Sequence, residues 1–233
     1  MIHNRLRVTA AGAYEHVVNA LSPAFQQATG GEIALTVANA AGVIARIEAK
    51  EPADVVLTSA AGIAHLVSAG LADASTATEI ARVGLGIAVR PGDALPDLST
   101  GAAVRTALVS AKRVAFIDPN GGGTSGPFIA KLFERLEITR QMNESGLLSK
   151  TGKDVVRAVA SGEATTGLTQ ATELIGAMGV QFAGYLAPEI QVTSIYSGAV
   201  VSFGAAPDLA RRFLTFLKSP VGTERFRDAG WNA

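Results

Sequence analysis

The sequence predicts an α/β protein in which strands and helices alternate along most of the chain. Short apolar segments of strand length are followed by segments whose apolar residues recur at helical spacing. Glycine and proline separate many of these segments, as at Gly30-Gly31 and at Pro52. The alternation occurs twice, before and after Arg90-Pro-Gly-Asp93. This pattern is typical of parallel sheets with helices on their faces.

The first set holds three predicted strands and three predicted helices. Val17, Val18, Leu21 and Phe25 recur at helical spacing, and we expect their helix to end at Gly30-Gly31, because glycine favours helix C-termini. The predicted strands are 6–11, 32–38 and 54–58, and the predicted helices are about 13–29, 41–49 and 61–68.

The second set repeats the alternation with longer loops. Pro127 suits the first position of a helix, because its missing N–H has no partner there. The predicted strands are 82–89, 113–117, 164–169 and one or two strands within 190–203. The predicted helices are about 100–108, 127–136, 154–160, 171–178, 207–217 and 221–228.

Composition excludes several classes of protein. The 233 residues carry 20 basic and 20 acidic side chains without a basic stripe, and aromatic residues make up only 6%. Both facts argue against nucleic acid as a partner. The absence of cysteine excludes thiolate nucleophiles, disulfides and cysteine-based zinc sites. No apolar stretch is long enough to cross a membrane, so we expect no membrane insertion.

A glycine-rich turn, Gly121–Gly126, follows a predicted strand and precedes a predicted helix. Its backbone N–H groups and the helix dipole can hold an anion, and Gly123, Thr124 and Ser125 are the candidate contacts. The alternative is that the glycines only permit a tight turn. The turn also has the Walker spacing, but Pro127 stands where a phosphate-binding lysine is required.

Small residues follow the three strands of the first set. Ala11-Gly12-Ala13, Asn39-Ala40 and Ser59 stand at these corners and leave room for a ligand. Ligands of open parallel sheets bind beyond the carboxyl ends of the strands, so these residues are a second group of candidates. The alternative is that small residues only let the helices pack closely on the sheet.

The sequence contains few candidates for catalysis. The three histidines, His3, His16 and His65, belong to no hydrolase or metalloprotease motif. We expect His16 to be a solvated helix residue and His65 to be half-buried. We expect no catalytic residue, no cofactor and no metal.

The chain resembles the molybdate-binding type of periplasmic solute-binding proteins, which serve ABC importers. The resemblance covers nearly the whole chain and rests on the order and spacing of several segments. These are Val8–Gly12, Val43–Ala49, Pro52–Ser59, Leu85–Val89, Asp118-Pro119, Asp154-Val155, Ser161–Ala164, Gly167-Leu168, Ala210–Leu217, Ser219-Pro220, Gly222 and Phe226.

The resemblance implies a two-lobed type II periplasmic-binding-protein fold, with hinge strands and a ligand cleft between the lobes. Residues 1–82 and 195–233 would form the first lobe, and residues 83–194 the second. It also implies a monomer in the periplasm, with an ABC permease of the inner membrane as partner. The first residues lack the apolar core of a signal peptide. By themselves they leave open a cytosolic protein or the mature part of an exported one.

The sequence departs from this family where the family places hydroxyl groups around molybdate. Gly12-Ala13 and Asn39-Ala40-Ala41 stand in place of serines, Gln170 in place of a tyrosine, and Lys153 in place of an acidic or amide residue. A lysine suits carboxylate groups, so we expect an organic acid as the ligand rather than molybdate or tungstate. The alternative is that Lys153 is an exposed lysine with no partner.

Two other functions stay open. The scaffold also resembles periplasmic aconitate isomerases, whose chemistry needs a base beside an acidic C–H group. His16, Tyr14 and Lys153 are the candidates, although the sequence shows no pair of a base and an orienting group. A cytosolic sensor of a small anion is the third possibility, and it would need a partner because no helix-turn-helix motif occurs.

Overall fold

The structure, a computed structural model, describes residues 5–121 and 123–232. The strands are β1 Arg5–Ala11, β2 Glu32–Ala38, β3 Val55–Ser59, β4 Thr78–Val89, β5 Val114–Ile117, β6 Leu147–Ser149, β7 Thr166–Gln170, β8 Gln181–Tyr185 and β9 Thr193–Val200. The helices are α1 Glu15–Thr29, α2 Ala40–Glu48, α3 Ala60–Ser68, α4 Gly101–Ser110, α5 Gly126–Arg135, α6 Thr139–Ser145, α7 Gly152–Ala160, α8 Ala171–Leu174, α9 Pro207–Leu217 and α10 Pro220–Asp228.

The predicted alternation of strands and helices is confirmed, and so is the α/β fold class. Three elements were not predicted: α6, β6 and β8. The sequence signal of each is weak, because α6 buries only Met142, β6 has three residues, and β8 is half-exposed. The predicted helix 171–178 ends at Leu174 instead. Ile175 is extended, and Gly176 and Gly179 take positive φ angles that no right-handed helix contains.

The chain folds into two compact units. Unit 1 is Met1–Arg82 with Ile195–Ala233, and unit 2 is Val83–Ser194. The chain passes from one unit to the other within β4 and again within β9. The assignment of these units as the lobes of a hinged receptor stays a prediction.

In unit 1, four strands pair in the order β2-β1-β3-β9. The first two pairings are parallel, as the alternation predicts, and β9 runs antiparallel to β3. Phe213 and Phe216 of α9 pack edge-on against Phe25 of α1, with ring centroids 5.0 and 5.4 Å apart. The C-terminal helix α9 is therefore part of the core that the N-terminal sheet and helix begin.

A buried carboxylate also joins the two segments of unit 1. Asp54 is 1% exposed. Its carboxylate accepts hydrogen bonds from the backbone N–H groups of Arg7, Ala205 and Ala206, at 2.8, 2.8 and 3.1 Å. Three such bonds satisfy a charge that would be costly to bury alone.

In unit 2, β5 lies between β6 and β7 with parallel pairing on both sides. Strand β4 pairs antiparallel with β7 and with β8. The core forms where α4, α5 and α7 pack on this sheet around Phe116, Phe133 and Leu168.

No helix within residues 5–121 and 123–232 combines the length and the apolar character that a membrane crossing requires.

Candidate functional site

The three parallel strands of unit 2 end at one edge of the sheet. Ile117 of β5 pairs with Ser149 of β6, and Phe116 of β5 pairs with Leu168 of β7. The segments that follow these strands therefore start side by side, about 5 Å apart. We call this region the carboxyl edge of unit 2; its segments are 118–125, 150–153 and 170–173. These segments contain the candidates Gly123, Thr124, Ser125, Lys153 and Gln170.

The turn after β5 is shaped by Asp118. Its carboxylate accepts a hydrogen bond from the Asn120 N–H at 2.9 Å, and its carbonyl oxygen accepts one from the Gly121 N–H at 3.0 Å. After this turn the backbone at Gly126 comes close to Asp118, and a Cβ on residue 126 would lie 2.5 Å from the Asp118 carbonyl oxygen. Gly126 is thus required by close approach, and the turn is more than a flexible connection. Gly122 lies outside the described residues.

Ser125 occupies the N-cap position of α5 in an unusual way. Its side chain makes no capping hydrogen bond, although serine is among the residues that most often cap helices. The residue is only 3% exposed. A buried hydroxyl at a helix N-terminus without a capping bond can donate to an anion placed there. The half-buried Thr124 adds a second hydroxyl beside it.

The segment after β6 opens α7 with a capping box. Thr151 Oγ1 accepts from the Asp154 N–H at 3.2 Å, and the Asp154 carboxylate accepts from the Thr151 N–H at 3.0 Å. Helix α7 therefore begins at Gly152 rather than at the predicted residue 154. Lys153 follows it and is exposed.

Glu173 is a polar group of this edge that the sequence reasoning missed. Its carboxylate accepts a hydrogen bond from Thr169 Oγ1 at 2.6 Å. It also lies against Gly152, where an added Cβ would overlap it. Burial raises the pKa of the Glu173 carboxyl, against the lowering effects of the Thr169 hydroxyl, the Gly152 N–H and the Lys153 charge. Thus a desolvated carboxyl group sits at the N-terminus of α7, close to a lysine.

A sequence signal for Glu173 exists in retrospect. An acidic residue in the first turn of a helix is favoured by the helix dipole, and Glu173 is the third residue of α8. The contact with Gly152 could not be foreseen, because it joins segments that follow two different strands. It also gives Lys153 an acidic neighbour from its own chain. The alternative that this lysine is without a partner is therefore wrong. Gln170 is buried at the end of β7, at the N-cap position of α8.

The carboxyl edge of unit 1 is built from β1, β2 and β3. Ala11 pairs with Ala38, and Ala10 pairs with Leu57, so the corners after these strands also meet at one edge. Ala11 and Ala13 are buried, whereas Gly12 is exposed. A Cβ added at Gly12 would meet no atom within 4 Å, so this corner has open space around it.

The polar candidates of this edge cap their own helices. Asn39 Oδ1 accepts a hydrogen bond from the Gly42 N–H at 2.8 Å, at the start of α2. Ser59 Oγ accepts one from the Gly62 N–H at 3.2 Å, at the start of α3. These oxygen atoms stabilise helix N-termini, and Ala40 is simply the first residue of α2.

Tyr14, a candidate base for the isomerase alternative, is a core residue. It is fully buried, and its hydroxyl donates to the Ser197 carbonyl oxygen at 3.3 Å. Its ring packs against Tyr196 and Trp231, with centroids 5.5 and 5.2 Å away. Burial raises the pKa of the Tyr14 phenol well above its usual value. The prediction of Tyr14 as a base is therefore wrong.

The histidines differ from expectation at one position. His16 is exposed on α1, as expected of a solvated helix residue. His65 was expected to be half-buried, and this is wrong: its side chain is 52% exposed and its Nε2 lies 2.7 Å from Glu48 Oε1. An alanine-rich helix surface buries little of a large side chain, so α3 leaves the ring at the surface. His3 lies outside the described residues.

The described residues contain no group of three or more acidic or histidine side chains placed to hold a metal ion.

Three comparisons with known proteins show what this chain is similar to. The sequence model of the family described as "Bacterial extracellular solute-binding protein" matches residues 6–232. An aconitate isomerase from a Pseudomonas species is 29% identical over 231 residues, which are 97% of this chain and 86% of that protein.

Solved structures match the fold over almost the whole chain. The periplasmic molybdate-binding protein of Azotobacter vinelandii superposes with a TM-score of 0.83 at 18% identity, covering 98% of this chain and 99% of that one. The substrate-binding domain assigned to a molybdenum ABC transporter of Clostridium difficile gives 0.78 at 15% identity, covering 98% of each. At these identities the two matches show a shared fold, the periplasmic-binding-protein fold that the sequence predicted.

Proposed function

The chain belongs to the family of bacterial extracellular solute-binding proteins, and from this premise we propose that it captures a small organic acid with two or three carboxylate groups. The proposed site includes the glycine-rich turn of unit 2, where Gly123, Thr124 and Ser125 face the ligand.

The observation that carries the proposal is the missing cap at Ser125. This serine is 3% exposed and stands at a helix N-terminus, yet its side chain makes no capping bond. An anion bound at that N-terminus would accept from the hydroxyl and from the backbone N–H groups of the first turn. Gly126 supports this, because it has no room for a side chain beside the Asp118 carbonyl oxygen, so the turn closes tightly at the start of α5.

One observation favours a carboxylate over a tetrahedral oxyanion. The Pseudomonas relative is by its name an enzyme of aconitate, a tricarboxylate. Lys153 supports a carboxylate less directly than the sequence predicted, since it also faces Glu173.

The family and the fold support a role in import. We propose that the chain is exported to the periplasm, acts there as a monomer, and delivers its ligand to an ABC permease of the inner membrane. The solved domain assigned to an ABC transporter of Clostridium difficile has the same fold, which supports this arrangement.

Calorimetric titration tests the ligand and the site together. We expect trans-aconitate, citrate or tricarballylate to bind more tightly than molybdate and sulfate. Thr124→Ala combined with Ser125→Ala should weaken binding of the best carboxylate by about 1–3 kcal/mol, or about 5- to 150-fold, because two donors to a charged group are lost.

A matched control removes two hydroxyl groups elsewhere in unit 2. Thr106 and Ser110 are exposed on α4, and their hydroxyls donate to carbonyl oxygens of the same helix, at 3.0 and 2.7 Å. The double variant Thr106→Ala/Ser110→Ala should bind like the wild type. If molybdate or sulfate binds most tightly, the organic-acid proposal fails. If the Thr124/Ser125 variant keeps its affinity, the turn is not part of the site.

A further inference from the structure

Glu173 has the surroundings of a proton-transferring residue. The Thr169 hydroxyl donates to its Oε2 at 2.6 Å, which holds the carboxylate in one orientation. The carboxylate lies against Gly152, the first residue of α7, where an added Cβ would overlap it. Glu173 and Thr169 thus form a pair of a base and an orienting group, which no motif in the sequence showed.

The position of Glu173 brings it toward the proposed ligand. It stands on the segment after β7, and the Thr124-Ser125 corner stands on the segment after β5. These two strands are hydrogen-bonded neighbours in parallel register, so the segments leave the same edge about one strand spacing apart. Glu173 and the proposed anion-binding turn therefore stand on segments that follow neighbouring strands at one sheet edge.

The negative charges of the Glu173 carboxylate and of an anionic ligand would repel each other. Desolvation favours the neutral form of Glu173, as its raised pKa shows, and the nearby Lys153 supplies a positive charge. Enzymes use carboxyl groups whose pKa is raised by burial for general acid–base chemistry. As a structural device alone, a neutral amide at this position would make the same hydrogen bond without the cost of burying a charge.

We propose that Glu173 is a catalytic residue that moves a proton within a bound unsaturated polycarboxylate, with Thr169 orienting it and Lys153 stabilising the charge that develops. This inference rests on the proposed organic-acid ligand and adds turnover to binding. The substrate class is an alkene carboxylate with a methylene group next to the double bond.

The reaction is a 1,3-shift that needs no oxidant or reductant. The Glu173 carboxylate takes a proton from the methylene carbon, and the electron pair of the broken C–H bond forms a new C=C bond. The electrons of the former C=C bond move into the neighbouring carboxylate to give a dienolate. The Glu173 carboxyl group then returns its proton to the far alkene carbon, and the double bond has moved by one position.

The charge of the dienolate explains the need for Lys153. The carboxylate that receives the electrons gains negative charge in the transition state, and an ammonium group close to it stabilises this charge more than the ground state. Lys153 is exposed, so its ammonium group has room to turn from Glu173 to the substrate once Glu173 has become neutral.

The test follows cis- and trans-aconitate in deuterium oxide by proton NMR, with binding measured in parallel by calorimetry. We expect the wild-type protein to interconvert the isomers and to replace methylene hydrogen by deuterium. Glu173→Gln should lower the turnover number by about 100-fold or more. Its Kd for trans-aconitate should stay within about fivefold, because the amide accepts the same hydrogen bond from Thr169.

Two further variants keep the test decisive. Glu163→Gln removes an exposed carboxylate of the same unit and should leave turnover unchanged. Glu173→Asp keeps the charge but draws the carboxylate back by one methylene group, so turnover should fall. This variant still tests the role of Glu173 if Glu173→Gln does not fold. Thr169→Val should lower the turnover number with little change in KM, as expected of a positioning residue.

The outcomes separate this inference from the proposed function. A wild-type protein that binds aconitate but exchanges no hydrogen overturns the inference and leaves the receptor proposal intact. A wild-type protein that binds no polycarboxylate overturns both. Turnover that survives in Glu173→Gln assigns the proton transfer to another group and overturns the role of Glu173.

Discussion

In unit 1 the polar side chains at the carboxyl edge cap their own helices, whereas in unit 2 the same edge holds a serine that caps no helix and a carboxylate bonded to a threonine. Asn39 and Ser59 each accept a hydrogen bond from the first turn of the helix they precede. Ser125 stands in the equivalent position before α5 and makes no such bond. Glu173 adds a desolvated carboxylate to the second edge.

The difference shows that the same strand-to-helix corner can be structural or functional, depending on whether its oxygen atoms have partners. Both units place parallel strand ends side by side, and both place helix N-termini there. A capped corner is satisfied by itself and gains stability. An uncapped corner leaves its hydroxyl and backbone N–H groups for other partners, a bound anion among them, so it is the better candidate for a site.

The largest contrast is expected between two glycines, one at each edge. Gly126→Ala should lower the free energy of unfolding by about 1–3 kcal/mol, because its Cβ would meet the Asp118 backbone at 2.5 Å. Gly12→Ala should change it by less than about 0.5 kcal/mol, because its Cβ meets nothing within 4 Å. Urea unfolding of the two variants measures both values. Equal stabilities would show that the turn of unit 2 relaxes freely.

A smaller contrast is expected between the two serines. Ser59→Ala should cost about 1 kcal/mol of stability, since it removes a helix cap, and Ser125→Ala should cost less than half of that. For ligand affinity we expect Ser125→Ala to cost more than Ser59→Ala. Thermal unfolding with and without the best carboxylate ligand measures both effects. A large loss of stability in Ser125→Ala, with affinity unchanged, would make that corner structural as well.

The smallest effect concerns pH and distinguishes Glu173 from the surface carboxylates. A carboxyl group whose pKa is raised by folding stabilises the folded state below its unfolded pKa of about 4.3, and this contribution is lost as pH rises through the folded pKa. Glu173→Gln should therefore be more stable than the wild type near pH 7 and match it near pH 4. Thr169 and Lys153 offset part of the desolvation, so the gain should be modest.

Chemical denaturation at several pH values tests this sign. Glu163→Gln, which removes an exposed carboxylate, should show no such trend. A stability difference for Glu173→Gln that is constant from pH 4 to 8 would contradict the raised pKa.

Most of the fold could be predicted because it follows from local signals. Apolar spacing, glycine at helix ends and Pro127 at a helix start act over a few residues, and the predicted strands and helices formed where these signals were strong. Helix α6 and strand β8 were missed because each is half-exposed, so its apolar pattern is faint.

The chemistry of the site could be predicted only in part. The Gly121–Gly126 turn was found because an anion-binding turn has a local signature. The contact of Glu173 with Gly152 has none, since 20 intervening residues include α7 and β7. Likewise, nothing in the sequence shows whether Asn39 caps a helix or faces a ligand, because an amide side chain suits both roles. Only the three-dimensional partners decide between them.

The buried carboxylate of Asp54 sets an order for the completion of the molecule. Two of its three hydrogen-bond donors, Ala205 and Ala206, are joined to the chain about 150 residues after it. A growing chain that has reached Ser194 contains every residue of unit 2, yet unit 1 still lacks most of β9 and both of those donors. During synthesis, therefore, the inserted unit is complete before the unit that it interrupts, and Asp54 gains its last donors only after the inserted unit is complete.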